Sequence, residues 1–166
     1  AIASYFLVVS QHRLPEIRRA GFLYFVMAHV GALCILLSFG VLQGGEWQLT
    51  FDSLRGTKLT PFTASLAFFL ALTGFGAKAG LVPLHVWLPE AHPAAPSPVS
   101  ALMSGVMLKT AVYGILRVTF DLIGNPLWWW GLIALALGLF SAFYGVIFAA
   151  VQTDMKRLLA WSSIEN

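Results

Sequence analysis

The stretch GAKAGLVPLHVWLPEAHPAAPSPVS, Gly76 to Ser100, decides the fold. It sets a lysine, two histidines, a glutamate and five prolines between long runs of Ala, Leu, Phe and Val. A proline lacks the backbone donor and crowds the turn before it, so five of them cannot continue one helix. Gly76 and Gly80 weaken the helix ahead of Pro83, which places a break near residues 76–83. The interval thus closes one apolar segment and leads into the next.

Working outward, the composition is that of a bilayer protein. Hydrophobic residues make up 58% of the chain and charged residues 10%, whereas a soluble domain carries roughly a quarter charged residues. The mean hydropathy is +0.80. About 20 apolar residues cross a hydrocarbon core, and that rule gives spans at Ala20–Gln43, Thr60–Val82, Pro98–Phe120 and Leu127–Val151, with partial spans at Ala1–Ser10 and Lys156–Asn166. Thr60 and Ser97 are candidate N-caps, each followed by a first-turn proline, Pro61 and Pro98. Residues 44–58 read as a polar loop with a short extended segment around Trp47–Phe51. The fold class is all-α: a polytopic transmembrane helix bundle with one discontinuous helix, a single membrane domain. The ends carry no basic n-region and stop on helical pattern, so the chain reads as a fragment of a larger subunit.

The net charge of +3 does not point to nucleic acid, because the basic residues form no stripe and the aromatics lie inside apolar runs. The single cysteine, Cys34, excludes a disulfide framework and a thiolate cluster. The spacing of His85 and His92 matches no zinc signature, so neither a metal nor another cofactor is expected. With alternating spans, Arg13, Arg18, Arg19, Lys156 and Arg157 share one side, and Arg55, Lys58 and Arg117 the other. The excess of positive residues puts the proline-rich interval on the cytoplasmic side.

The informative residues are charges that leave the loops. Lys109 lies twelve residues into its span, roughly 18 Å deep at 1.5 Å per residue. Insertion scales put a central lysine at about +2.5 to +3.5 kcal/mol, a cost that usually marks function. The competing reading is a structural lysine satisfied by a carbonyl or carboxylate in the bundle core. Lys78 sits beside the predicted break, and irregular backbone at membrane depth is tolerated only within protein or beside a wet cavity. Its plainer reading is a span that ends there, with the amine reaching an interface. Burial disfavours the charged form of an amine and a nearby carboxylate favours it, so a change of hydration or partner lets such a group exchange a proton. His85 and His92 are candidate relays, with hydrogen-bonded anchoring of their segment as the alternative. Trp87 fits an interfacial belt, Glu90 an interfacial carboxylate, and His29 a hydrogen-bonded core residue.

The run VPLHVWLPEAHPAAPSPVSALMSGVMLKTAVYGILR, Val82 to Arg117, resembles the central signature of the proton-conducting, antiporter-like membrane subunits of complex I, energy-conserving hydrogenases and multisubunit cation/proton antiporters. DMKRLLAWSSIEN and AIASYFLVVSQ extend the resemblance to the whole chain. Within the family, GAKAGLVPLHVWLPEAHPAAPS is most similar to the hydrogenase-4 component B and formate hydrogenlyase subunit 3 branch, although Pro98 stands where that branch often carries His. The resemblance implies proton translocation through Lys78, on a discontinuous helix, and Lys109, on the next. It also implies a glutamate paired with Lys78, which would lie just upstream of Ala1. It further implies a non-catalytic subunit of an oxidoreductase complex in the inner membrane of a prokaryote, whose redox chemistry resides in partner membrane and peripheral subunits. The alternative is a subunit of a multisubunit Na⁺/H⁺ antiporter without a redox partner.

Overall fold

The computed structural model describes residues 2–45 and 50–165. Ala1 and Asn166, the outer ends of the two expected partial spans, and most of the expected extended segment at Trp47–Phe51 lie outside them. Phe51 itself is not extended but opens a helix, because the Thr50 side chain accepts from the Ser53 amide and caps it.

The helices in chain order are α1 (Ile2–Val8), α2 (Pro15–Leu42), α3 (Phe51–Gly56), α4 (Pro61–Ala79), α5 (Leu88–Ala94), α6 (Ser97–Leu102), α7 (Leu108–Leu116), α8 (Trp128–Ala150) and α9 (Met155–Glu165). Wider π-helical turns at Met103–Met107 and Arg117–Leu122 join α6 to α7 and extend α7. Among the described residues, four stretches are long and apolar enough to cross a membrane: Pro15–Leu42, Pro61–Ala79, Ser97–Leu122 and Trp128–Ala150. The shortest has 19 residues, about 28 Å of helix.

Local chemistry sets the helix starts. Thr60 Oγ1 accepts from the Thr63 amide at 3.2 Å, and Pro61 occupies the first turn, where its absent N–H costs nothing. The expected cap at Ser97 is not formed. The ladder there begins one residue earlier, with Ser100 N donating to the Pro96 carbonyl at 3.0 Å, so Ser97 is the first helical residue.

The bundle packs through small residues, which let helix backbones approach in a setting where lipid gives no hydrophobic advantage to larger ones. A Cβ added at Gly74 would stand 2.7 Å from the Gly31 carbonyl, so α2 and α4 meet with almost no side chain between them. Ser38 Oγ, fully buried, donates to the Ala67 carbonyl across the same contact at 2.8 Å. Phe68 stacks on Trp130 with centroids 4.6 Å apart, fixing α8 against α4. The outer face of α8 exposes Leu132, Leu135, Leu139 and Phe143, as a lipid-facing surface does.

The short helix α5 lies in the main core cluster, where Trp87, Leu88 and Ala91 pack with Tyr24 of α2, Leu108 of α7 and Trp161 of α9. At the end of the bundle that carries α3, Asp121 bridges Arg55 at 2.8 Å and Arg117 at 2.9 Å. At the other end, Arg157 faces Glu90 at 3.8 Å and Lys156 Nζ donates to the Ala95 carbonyl at 3.1 Å.

Candidate functional site

The break in the chain is built from glycine geometry. α4 runs to Ala79 and stops at Gly80, whose φ of +79° is left-handed and disfavours a side chain. The Leu81 amide turns back onto the Gly76 carbonyl at 2.9 Å, closing the helix with a six-to-one bond of the Schellman kind. A Cβ at Gly76 would come 3.0 Å from Leu81 Cδ1, so both glycines serve the reversal. Pro83 follows within the irregular segment that leads to α5.

Stopping a helix inside protein frees carbonyl and amide groups that must be paired. The Trp87 indole donates to the Ala77 carbonyl at 2.7 Å, and the Val82 amide donates to Ser141 Oγ of α8 at 3.0 Å. Trp87 is therefore no interfacial belt residue. It is 2% exposed, and it holds the two halves of the broken segment together. Sequence reasoning missed Ser141 altogether, since a lone serine in an apolar run carries no signal of its own.

Lys78 lies one residue beyond Ala77, in the last turn of α4, where a cation meets the negative end of the helix dipole. Its side chain is partly buried and shares with Tyr24, Ala28, Ala77, Trp87 and Met107 a cavity of about 10 Å³, roughly room for one water. Tyr24 is held in place by three contacts: its hydroxyl pairs with Ser4 Oγ at 2.6 Å, donates to Met107 Sδ at 3.8 Å, and its ring lies 5.2 Å from that of Trp87. Tyr24 thus ties α1 to the lysine's surroundings. Nothing in the sequence singled it out.

Lys109 occupies α7, and its side chain is exposed at the side of the bundle. It lines a cleft of about 470 Å³ together with His92, Ser100, Ser104, Lys156 and Ser163. The two lysines thus face separate spaces: Met107 borders the cavity of Lys78, whereas Leu108 and Lys109 border the cleft.

The histidines lie between the spans Pro61–Ala79 and Ser97–Leu122. His92, 3% exposed, has its Nδ1 paired with Ser100 Oγ at 2.7 Å, while Nε2 has no partner among the described residues. Burial pushes it down to about 4, so the ring is neutral at pH 7. His85 sits between the rings of Tyr144 and Trp161, at 5.3 and 5.5 Å, with Nδ1 unpartnered, and burial lowers it too. It borders a groove of about 840 Å³ that also exposes Glu16, Arg19, Glu90 and Arg157. His92 therefore borders the same cleft as Lys109, whereas His85 borders a different groove. His29 turns onto its own helix, with Nδ1 at 2.8 Å from the Phe25 carbonyl.

Chemically, a partly buried amine beside a helix break and a second amine on a hydroxyl-rich cleft can each hold and release a proton. Over its full length the chain is 50% identical to hydrogenase-4 component B of Escherichia coli (strain K12), covering 25% of that protein. It is 36% identical to formate hydrogenlyase subunit 3 of the same organism over 89% of the chain and 24% of that protein. The chain thus spans about a quarter of the length of these relatives. A solved structure of the membrane-bound sulfane sulfur reductase, an archaeal respiratory membrane complex, superposes on 99% of the chain and 34% of its own with a TM-score of 0.86, at 24% identity, which speaks to the fold. The sequence model described as NADH:quinone oxidoreductase/Mrp antiporter, TM, matches residues 1–166, and with every described span, the helix break and both lysines inside that match, the chain belongs to this family of antiporter-like membrane subunits.

Proposed function

We propose that the chain forms a proton-translocating part of a membrane subunit in a respiratory or hydrogenase-type redox complex, with Lys78 and Lys109 as its proton-carrying groups. The observation that carries this reading is the setting of Lys78. Its partly buried amine stands at a helix break whose neighbouring carbonyl, that of Ala77, is already occupied by the Trp87 indole. The residue also borders a water-sized cavity, where an amine can exchange a proton with water.

His92 serves as the relay nearest Lys109, and His85 stands at the groove on the Glu90 side. The partner membrane and peripheral subunits supply the redox chemistry. The relatives from Escherichia coli favour the cytoplasmic membrane of a prokaryote.

The test is proton uptake into inverted membrane vesicles, read by fluorescence quenching of a pH-sensitive dye, in cells carrying the full-length subunit as wild type, Lys78→Met or Lys109→Met. Each variant should assemble and lose most of its redox-driven proton uptake. Undiminished uptake in an assembled Lys109→Met complex rejects the role given to that residue. Uptake that follows an imposed Na⁺ gradient and ignores redox substrates would identify a Na⁺/H⁺ antiporter instead.

A further inference from the structure

The membrane-crossing stretch Ser97–Leu122 is not one continuous α-helix. Its segment α7, which carries Lys109, lies between the π-helical turns Met103–Met107 and Arg117–Leu122. A π-turn closes its hydrogen bond one residue later than an α-turn, and at the second of these Ile123 N donates to the Val118 carbonyl at 3.0 Å. Returning such a turn to α geometry shifts the register by one residue, which rotates the helix on one side of it by about 100°. The phase of α7 therefore depends on what holds the turn at Arg117–Leu122.

One face of α3 holds it. Phe51, Leu54 and Arg55 have the spacing of three and four residues that shares a helix face, and each meets the turn. Leu54, 1% exposed, packs in one core cluster with Val118 and Leu122. The Arg55 guanidinium forks onto the Asp121 carboxylate, with Nε donating to Oδ1 at 2.8 Å and Nη2 to Oδ2 at 3.0 Å. Arg117 Nε lies 2.9 Å from the same Oδ2, and the Arg117 guanidinium carbon stands 5.3 Å from the centre of the Phe51 ring. A lone exposed ion pair contributes little, but a two-pronged arginine–carboxylate pair within a network, pinned by a buried leucine, constrains geometry.

The phase matters because α7 fits α4 in one way. Gly114 receives the Phe75 ring of α4, and a Cβ added at Gly114 would overlap Phe75 Cε1. A register shift of one residue would bring Tyr113 or Ile115 to that ring and carry Lys109 away from the cleft it lines.

We propose that α3 is a strap that sets the rotational phase of α7, with Arg55 and Asp121 as positioning residues that keep Lys109 on its cleft. The inference rests on the proton-carrying role given to Lys109 and adds the device that aims it.

The experiment uses the full-length subunit in its intact complex, in a background with Cys34→Ser and no other reactive cysteine. Spin labels at Tyr113→Cys of α7, paired in turn with Phe62→Cys of α4 and Leu36→Cys of α2, all three exposed positions, report the phase of α7 as two distances by double electron–electron resonance. A 100° turn of a helix about 10 Å across moves a surface point by roughly 8 Å, so a released strap should shift at least one distance by about 4 Å or more. Arg55→Gln and Asp121→Asn remove the same pair from opposite elements, and each should show that shift and lower redox-driven proton uptake per assembled complex at least fivefold. Asp52→Asn takes from Arg55 only its solvent-exposed partner and should leave both readings as in the wild type. Asp121→Glu keeps the carboxylate and should retain at least half of the uptake. Unmoved distances in both Arg55→Gln and Asp121→Asn overturn the strap, whatever Lys109→Met does to uptake. Shifted distances with full uptake overturn the positioning role, and equal losses in Asp121→Glu and Asp121→Asn overturn the part given to the carboxylate.

Discussion

Replacing Gly80 by alanine tests the helix break most directly. The residue has φ of +79°, and an added Cβ would stand 2.7 Å from Leu88 Cδ1. A non-glycine residue in the left-handed region costs roughly 1–2 kcal/mol. Leu88 is fully buried, and overpacking at such a site typically costs about 1–3 kcal/mol. The two contributions share one site and are not strictly additive, which gives a destabilisation of roughly 2–4 kcal/mol. The Trp87 indole, one residue before Leu88, would be drawn off the Ala77 carbonyl as α5 shifts. The assay is thermal unfolding of the purified intact complex together with redox-driven proton uptake. Gly138→Ala serves as control, since a Cβ there meets nothing within 4 Å and alanine favours helix by about 1 kcal/mol. Gly80→Ala should lower the melting temperature and proton uptake together, while the control leaves both intact or raises the first. Wild-type stability in Gly80→Ala would refute the account of the break given above.

Two other substitutions probe how the bundle holds the site. Gly74→Ala would put a Cβ 2.7 Å from the Gly31 carbonyl and 2.9 Å from the Ile35 amide. Backbone cannot swing aside as a side chain can, so α2 and α4 must separate, and the yield of assembled complex should fall well below that of Gly138→Ala. Trp87→Phe keeps one aromatic ring but removes the donor to the Ala77 carbonyl together with the volume of the second ring. A buried acceptor left unpaired costs about 1–3 kcal/mol, measured as a lowered unfolding midpoint. An unchanged midpoint would mean that another donor reaches that carbonyl.

Much of the site became visible only through contacts distant in sequence. Trp87 read as an interfacial aromatic because a proline-rich connector between spans ordinarily lies near the headgroups. Its segment is instead swallowed by the bundle, where the indole finds a carbonyl ten residues back. Ser97 read as an N-cap because serine before proline is a common helix start. The Pro96 carbonyl begins the ladder, and Ser97 lines the Lys109 cleft. Tyr24, Ser141 and Ser163 matter through partners on other helices, which no local pattern encodes.

By itself the sequence determined that the chain is a bundle of membrane-crossing helices, that it breaks near Gly80, and that Lys78 and Lys109 leave the loops. The reason is that a segment in hydrocarbon must satisfy its backbone within itself, so hydropathy, glycine and proline speak locally. The tertiary structure alone decided which face of each helix meets which neighbour. It put the two amines in separate spaces, one beside a water-sized cavity and the other on a serine-lined cleft. Those outcomes depend on side chains brought together from helices far apart in the chain, and apolar helices of similar composition give few cues to which faces will pair.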